Sequence, residues 1–277
     1  MISERTVAID GFLEKCDRPL EGYATVAVDV IRTSTTAVTA VATGRRCFPV
    51  PTVEAATLLA SEFENVLLAG EVGGNLPFGF EVTNSPYEMA TRTDIDRPMI
   101  LVSSSGTRLM ARLETNGSAY VGCFRNYNYL IQHLAKNHSK VLVVGAVTRG
   151  EFREEDQMCC AWIAEGLMAA GFRPEEDETS RLVDRWSGAP RDAFLTSASV
   201  KYLRSTGQER DLDFVLNHFD DLHAAFELHR GELVIAPASD PKICRVNPYP
   251  ARPFRGTQDA SVISLRNQTF CVRNKCN

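Results

Sequence analysis

The stretch Ala24-Thr-Val-Ala-Val-Asp29-Val-Ile-Arg32-Thr33-Ser34-Thr35-Thr36-Ala37 joins an apolar run to two opposite charges and then to four consecutive hydroxyl residues. Residues 24–30 are short, β-branched and nearly continuous, the pattern of a strand buried on both faces of a parallel sheet. Ser34, Thr35 and Thr36 offer N-caps ahead of the apolar-rich residues 37–43, and Gly44 can close that helix. A helix N-terminus beside Arg32 suits a phosphate, sulfonate or carboxylate, because its N–H groups and dipole favour negative charge. Asp29 would be repelled by such an anion unless a cation lay between them, which points to Mg²⁺ or a general base. A surface ion pair between Asp29 and Arg32, with hydroxyls that merely cap, accounts for the same residues equally well.

Outward from this unit the same pattern recurs. Residues 99–102 form an apolar strand, followed by Ser103-Ser-Ser105-Gly106-Thr107 and a helix at 108–113, a second anion cradle. A strand at 120–124 precedes Arg125-Asn126 and an amphipathic helix at 129–136. A strand at 140–147 leads through Thr148-Arg149-Gly150 to a helix at 155–170 that Gly171 closes. Ligands of open α/β sheets lie outside the carboxyl ends of the strands, so the three polar turns should converge. Glu154, Glu155 and Asp156 begin the last helix, and two of the three read as plain dipole partners.

Other strands are expected at 7–9, as an edge, and at 47–51, 66–69 and 233–237, with a Thr52-capped helix at 52–62. The Gly-, Asn- and Pro-rich segment 70–86 is a long loop of the kind that carries function. Glu71 starts it where a strand ends, and Asn84-Ser85-Pro86 closes it as a polar group and a helix start. Residues 174–190 read as a charged loop around Trp186, 193–204 as a helix, and 213–226 as a surface helix. The last forty residues are a polar tail with one strand candidate at 260–265. The whole predicts a layered α/β/α fold with a largely parallel central sheet. Residues 1–172 form its main region, and 173–277 a C-terminal α/β portion packed with it.

A chain of 277 residues needs no covalent staple to bury a large core. The formal charge of -5 gives no electrostatic reason to expect nucleic acid or an anionic membrane as partner. There is no long apolar run and no signal-like start, so a cytoplasmic protein with reduced cysteines is expected. Cys271 and Cys276 are the pair that oxidation would join. The chain lacks Gly-x4-Gly-Lys-Ser/Thr, Gly-x-Gly-x-x-Gly and Gly-x-Ser-x-Gly, excluding the familiar nucleotide, dinucleotide and hydrolase elbows. Position 31 is Ile, where a haloacid dehalogenase-type phosphatase carries its second Asp.

Taken together and in order, Asp29-Val-x-Arg32-Thr-x-Thr-Thr36, Gly70-Glu71, Gly79-Phe80, Asn84-Ser85-Pro86, Ser105-Gly106-Thr107 and Glu155-Asp156 resemble the 2-phosphosulfolactate phosphatase family over roughly residues 24–170. The resemblance implies a Mg²⁺-dependent phosphatase acting on a small phosphorylated or sulfonated hydroxy acid. It implies catalytic roles for Asp29, Arg32 and Glu71, and metal ligation by Asp29, Glu71 and Asp156. Substrate contacts would fall to Thr35, Thr36, Asn84, Ser85, Ser105, Gly106, Thr107 and Asn126. Glu81, Thr83 and Ser105 stand where the family has Asp, Gly and Asn, which leaves two alternatives: a relative recruited to a lyase or transferase reaction, or a non-catalytic anion-binding protein. The oligomeric state, a homodimer included, stays open. Beyond Gly171 the resemblance fades.

Overall fold

The computed structural model describes residues 4–11, 20–115 and 117–237. The strand expected at 260–265 and Cys271 and Cys276 lie outside them. The elements in chain order are β1 (Thr6–Asp10), β2 (Ala24–Val28), α1 (Thr33–Ala42), β3 (Cys47–Val50), α2 (Val53–Ala60), β4 (Leu67–Gly70), α3 (Pro86–Thr91), β5 (Met99–Val102), α4 (Gly106–Glu114), β6 (Ala119–Gly122) and α5 (Tyr127–Asn137). They continue with β7 (Lys140–Gly145), β8 (Val147–Thr148), β9 (Glu151–Phe152), α6 (Glu154–Ala169), β10 (Arg173–Pro174), α7 (Asp177–Trp186), α8 (Ala198–Ser205), α9 (Glu209–Asn217), β11 (Phe226–His229) and β12 (Glu232–Ile235).

Among the described residues ten strands form one sheet in the order β10-β1-β7-β2-β6-β11-β12-β3-β5-β4. The pairings β10-β1, β1-β7, β7-β2 and β2-β6 are parallel, as are β3-β5 and β5-β4. The hairpin β11-β12 joins these two parallel halves through antiparallel pairings to β6 and β3, so the halves run in opposite directions. The α/β class and the mostly parallel sheet expected from the sequence are both present.

Three apolar clusters follow from strand alternation, in which neighbouring residues face opposite sides. Val26 and Val28 face Leu130, Ile163 and Leu167 of α5 and α6. Ala27, Val121 and Leu142 face the other way, and share a cluster with Ala37 and Val38 of α1, Leu109 and Met110 of α4, and Met99 and Leu101 of the opposite half. α1 and α4 therefore pack between the two halves. Phe48, Ile100 and Val102 meet Ala56 of α2 beyond the second half. Each buried Val or Leu of these layers contributes about 1.5–3 kcal/mol. Cys47, Cys123, Cys159 and Cys160 are free and buried in the same layers.

Three sequence expectations are corrected. Residues 177–186 are helix, not loop: in α7 Thr179, Val183 and Trp186 are buried at helical spacing. The helix expected at 213–226 ends at Asn217, and residues 226–229 form β11, which pairs with β6 and β12 in the middle of the sheet. The segment 7–9 is not an edge, because β1 lies between β7 and β10.

Candidate active site

Asp29 follows β2 and sits at the start of α1, only 5% exposed. Its Oδ1 accepts from the Thr33 N–H at 3.2 Å and its Oδ2 from the Thr33 hydroxyl at 2.8 Å. The Thr33 Oγ1 in turn lies 3.0 Å from Ser103 Oγ, ahead of α4, and receives the Asn84 amide at 3.1 Å. The N-termini of α1 and α4 thus meet at Asp29. Gly106 permits this approach: a Cβ there would come within 2.3 Å of Asp29 Oδ2. Gly70 does the same one loop away, with φ +144 and a hypothetical Cβ 2.0 Å from Val102 O.

A cavity of about 320 Å³ opens at this junction, at the small end of ligand sites. Asp29, Arg32, Glu71, Asn84 and Ser105, all expected from the sequence, line it. Its walls also carry Thr33, Ser104, Thr148, Arg149, Arg153, Ser199 and Tyr202. The three polar turns anticipated after β2, β5 and β7 do converge here, joined by the 71–74 loop and by α8. Thr35, Thr36, Ser85, Gly106, Thr107, Asn126 and Asp156 do not line the cavity. The Thr35 hydroxyl donates to Val30 O at 2.7 Å, and Thr107 is bonded to Ser103 through its N–H and hydroxyl. Ser85 caps α3 by accepting from Glu88 N. Asn126 is spent on the turn after β6, accepting from Cys123 N and donating to Val121 O.

Two expected residues are held by partners the sequence did not offer. Arg32 Nη1 forms an ion pair of 2.6 Å with Asp211 of α9, each side chain 6% exposed. Asp211 also accepts from Ser85 Oγ and Tyr87 N, so α9 locks the α3 start to the α1 start. Glu71 accepts from Ser104 N at 2.8 Å, Ser104 Oγ at 3.0 Å and Gly74 N at 2.7 Å, fastening its loop to the β5-α4 turn.

Negative charge accumulates behind the cavity. Asp156 accepts from Val30 N at 2.7 Å. Next to it Glu155 is fully buried, and among the described residues neither carboxylate oxygen has a hydrogen bond of good geometry, the Ser199 and Ser197 hydroxyls lying nearby. Burial raises the carboxyl of Asp29, offset by the Thr33 bonds and reinforced by Glu71. Burial likewise raises Glu155, with the Ser199 and Ser197 hydroxyls opposing it. Asp156 is raised well above the ordinary range by burial, then by Glu155 and Asp29. Glu155 is therefore no plain dipole partner: it belongs to this buried acid group.

The fit to a divalent cation is partial. Among the described residues no three His, Cys, Asp or Glu side chains are arranged to hold a metal, and Asp156 stands apart from the cavity. Mg²⁺ needs only one or two carboxylates, completing its shell with water and substrate oxygens. Asp29 keeps unused lone pairs, and Asn84 Oδ1 is buried with no partner among the described residues. These oxygens suit a hard cation.

A sequence model of 2-phosphosulpholactate phosphatase matches residues 14–224. The match reaches past Gly171, where the sequence resemblance had faded, and takes in Ser199, Tyr202 and Asp211. A probable 2-phosphosulfolactate phosphatase of Pseudothermotoga lettingae is 36% identical over 141 residues, 51% of this chain and 61% of that relative. One from Thermotoga maritima is 28% identical over 207 residues, covering 74% and 89%. The 2-phosphosulfolactate phosphatase of Methanothermobacter thermautotrophicus is 29% identical over 201 residues, covering 72% and 84%. Among the described residues no helix is long and apolar enough to cross a membrane. The chain belongs to the 2-phosphosulpholactate phosphatase family of phosphoric monoester hydrolases.

Proposed function

We propose that the chain hydrolyses the phosphate ester of a small anionic hydroxy acid such as 2-phosphosulfolactate, in a Mg²⁺-dependent reaction. The observation that carries this reading is the meeting of two helix N-termini, α1 and α4, around the buried Asp29 in a cavity sized for a small molecule. Asp29 and Asn84 Oδ1 would hold the cation, whose charge would offset that of the phosphate dianion. Arg32 and the positive ends of α1 and α4 stabilise the equatorial oxygens as charge develops on them. Glu71, the other carboxylate of the cavity, takes the proton of the attacking water.

The reading is tested by inorganic phosphate release from 2-phosphosulfolactate with Mg²⁺, with EDTA, and with EDTA followed by excess Mg²⁺. Release that EDTA abolishes and Mg²⁺ restores is expected. Release indifferent to EDTA removes the cation from the scheme, and silence from folded protein removes the phosphatase.

A further inference from the structure

Among the described residues three arginines line the cavity, and they differ in what they already hold. Arg32 is paired with the buried Asp211 through Nη1 alone, and in the phosphatase reading its remaining N–H groups serve the phosphate. Arg153 is paired with Glu151, whose side chain is 67% exposed, and its Nε is buried with no partner among the described residues. Arg149 forms no ion pair and no hydrogen bond among the described residues, although Asp29 and Glu71 border the same cavity. A free cation and two carboxylates thus face one small space without touching each other. With a cation between Asp29 and the phosphate, as the phosphatase reading has it, that spacing suits a ligand that carries negative charge at both ends.

The segment bearing Arg149 is well seated. Val147 and Thr148 pair with Phe152 and Glu151 around the two-residue turn Arg149-Gly150, both with positive φ (54 and 78), as a type I′ turn requires. Thr148 Oγ1 lies 3.2 Å from Ser105 Oγ, tying the hairpin to the start of α4. The Phe152 ring rests on Gly145, where a Cβ would come within 2.0 Å of it, and Gln157 Nε2 donates to Phe152 O at 2.7 Å. Guanidinium groups bind carboxylate and sulfonate oxygens through paired N–H donors, so the exposed Arg149, carried on a hairpin held in this way, can read such a group.

Building on the phosphatase reading above, we propose that Arg149, assisted by Arg153, binds the anionic group of the substrate that is not transferred, a carboxylate or sulfonate. Arg149 is then the residue that distinguishes a phosphorylated hydroxy acid from a phosphate ester lacking a second charge. The exposed Glu151 pair is of the weak, solvent-screened kind, so Arg153 can exchange it for the substrate anion.

The test is the ratio of kcat/KM values across three esters: glycerol 2-phosphate, with no further anion, 2-phospholactate, with a carboxylate, and 2-phosphosulfolactate, with a carboxylate and a sulfonate. In Arg149→Asn the preference for 2-phosphosulfolactate over glycerol 2-phosphate should shrink about 10- to 100-fold, mostly through KM, as expected for one lost charge-assisted contact. Asn suits a type I′ turn, so the hairpin is kept. Arg230 provides the control. It occupies the equivalent place in the Arg230-Gly231 turn of β11-β12, with φ 53 and 80, and does not line the cavity. Arg230→Asn should leave the ratio unchanged. An equal loss on 2-phospholactate identifies the carboxylate as the bound group, and a loss confined to 2-phosphosulfolactate identifies the sulfonate.

An unchanged ratio in Arg149→Asn overturns the proposal. If the wild type releases phosphate from none of the three, the phosphatase reading fails, and titration calorimetry with sulfolactate decides on Arg149 alone. Binding weakened about tenfold or more in Arg149→Asn sustains its role. Equal affinity, or no binding by the wild type, ends it.

Discussion

Two groups of ionisable side chains, one beyond α3 and one beside the cavity, meet opposite fates in this fold. At the entrance to β5, Asp94 accepts from Arg92 Nε and Nη2 at 2.9 and 2.6 Å, Arg45 Nη2 at 2.7 Å and Arg97 Nη1 at 3.2 Å. Arg92 first, and then Arg45, holds the Asp94 carboxyl far below the usual carboxylate range. Beside the cavity, Asp29, Glu155 and Asp156 crowd together in a buried space, and all three carboxyls are pushed upward. The first group satisfies its charge within the chain and fastens a connection. The second leaves negative charge that protons, a cation or a bound molecule must answer. Unanswered charge at the C-terminal ends of strands marks a working site better than the number of charges does.

The strongest way to break this contrast is Asp29→Asn. The amide keeps the shape but loses the charge that would hold a cation against the substrate. Phosphate release from 2-phosphosulfolactate should fall about 10³-fold or more, roughly 4 kcal/mol of transition-state stabilisation. Turnover and EDTA sensitivity equal to wild type would place Asp29 among the merely structural acids.

Asp94→Asn should show the opposite character: lost stability with turnover intact. Removing a carboxylate shared by three arginines costs about 1–2 kcal/mol at pH 7, read from urea unfolding. The pH dependence follows from the lowered carboxyl. Stability from such a group is present above its ordinary value of 3.8 and is lost as the pH falls through the folded value. The gap between variant and wild type should therefore be full at neutral pH and narrow only on strong acidification. A gap that closed on the alkaline side instead would mean that Asp94 is not held as an anion.

The sequence made the first side of the cavity legible because charge, hydroxyls and an apolar strand stand within thirteen residues there. Asp29, Arg32, Glu71, Asn84 and Ser105 all adjoin a strand end or close a long polar loop, and all five line the cavity. The second side was hidden by distance along the chain. Asp211 holds Arg32 across 179 residues, and no local pattern in α9 announces it. Arg149 and Arg153 were visible as part of a polar turn, but only the hairpin geometry turns that segment to the cavity. The missed α7 carried a readable stripe, Thr179, Val183 and Trp186, under a dense cover of charge. β11 was missed because its apolar residues continued a helical run, while the decisive signal was the Arg230-Gly231 turn after it. Glu155 looked like a dipole partner, since nothing in a sequence reveals that its carboxylate is enclosed with little beyond the Ser197 and Ser199 hydroxyls to meet it.

Glu155 gives the smallest expected effect and sharpens the contrast most. Its carboxyl is raised above its ordinary value of 4.5, chiefly by burial. The folded chain therefore holds this proton more tightly than the unfolded chain does. Stability from that source is complete below about pH 4.5 and is lost as the pH rises through the folded value. Glu155→Gln fixes the neutral state, so the variant should match wild type in acid and overtake it toward neutral pH. At pH 7 a gain of about 1 kcal/mol would raise Tm by roughly 2–4 °C in a chain of this size. The gain stays small because the Gln amide also enters a pocket poor in partners, apart from the Ser197 and Ser199 hydroxyls. A variant that is destabilised at neutral pH would show that the Glu155 charge is compensated after all. The acid group beside the cavity would then resemble the Asp94 network rather than oppose it.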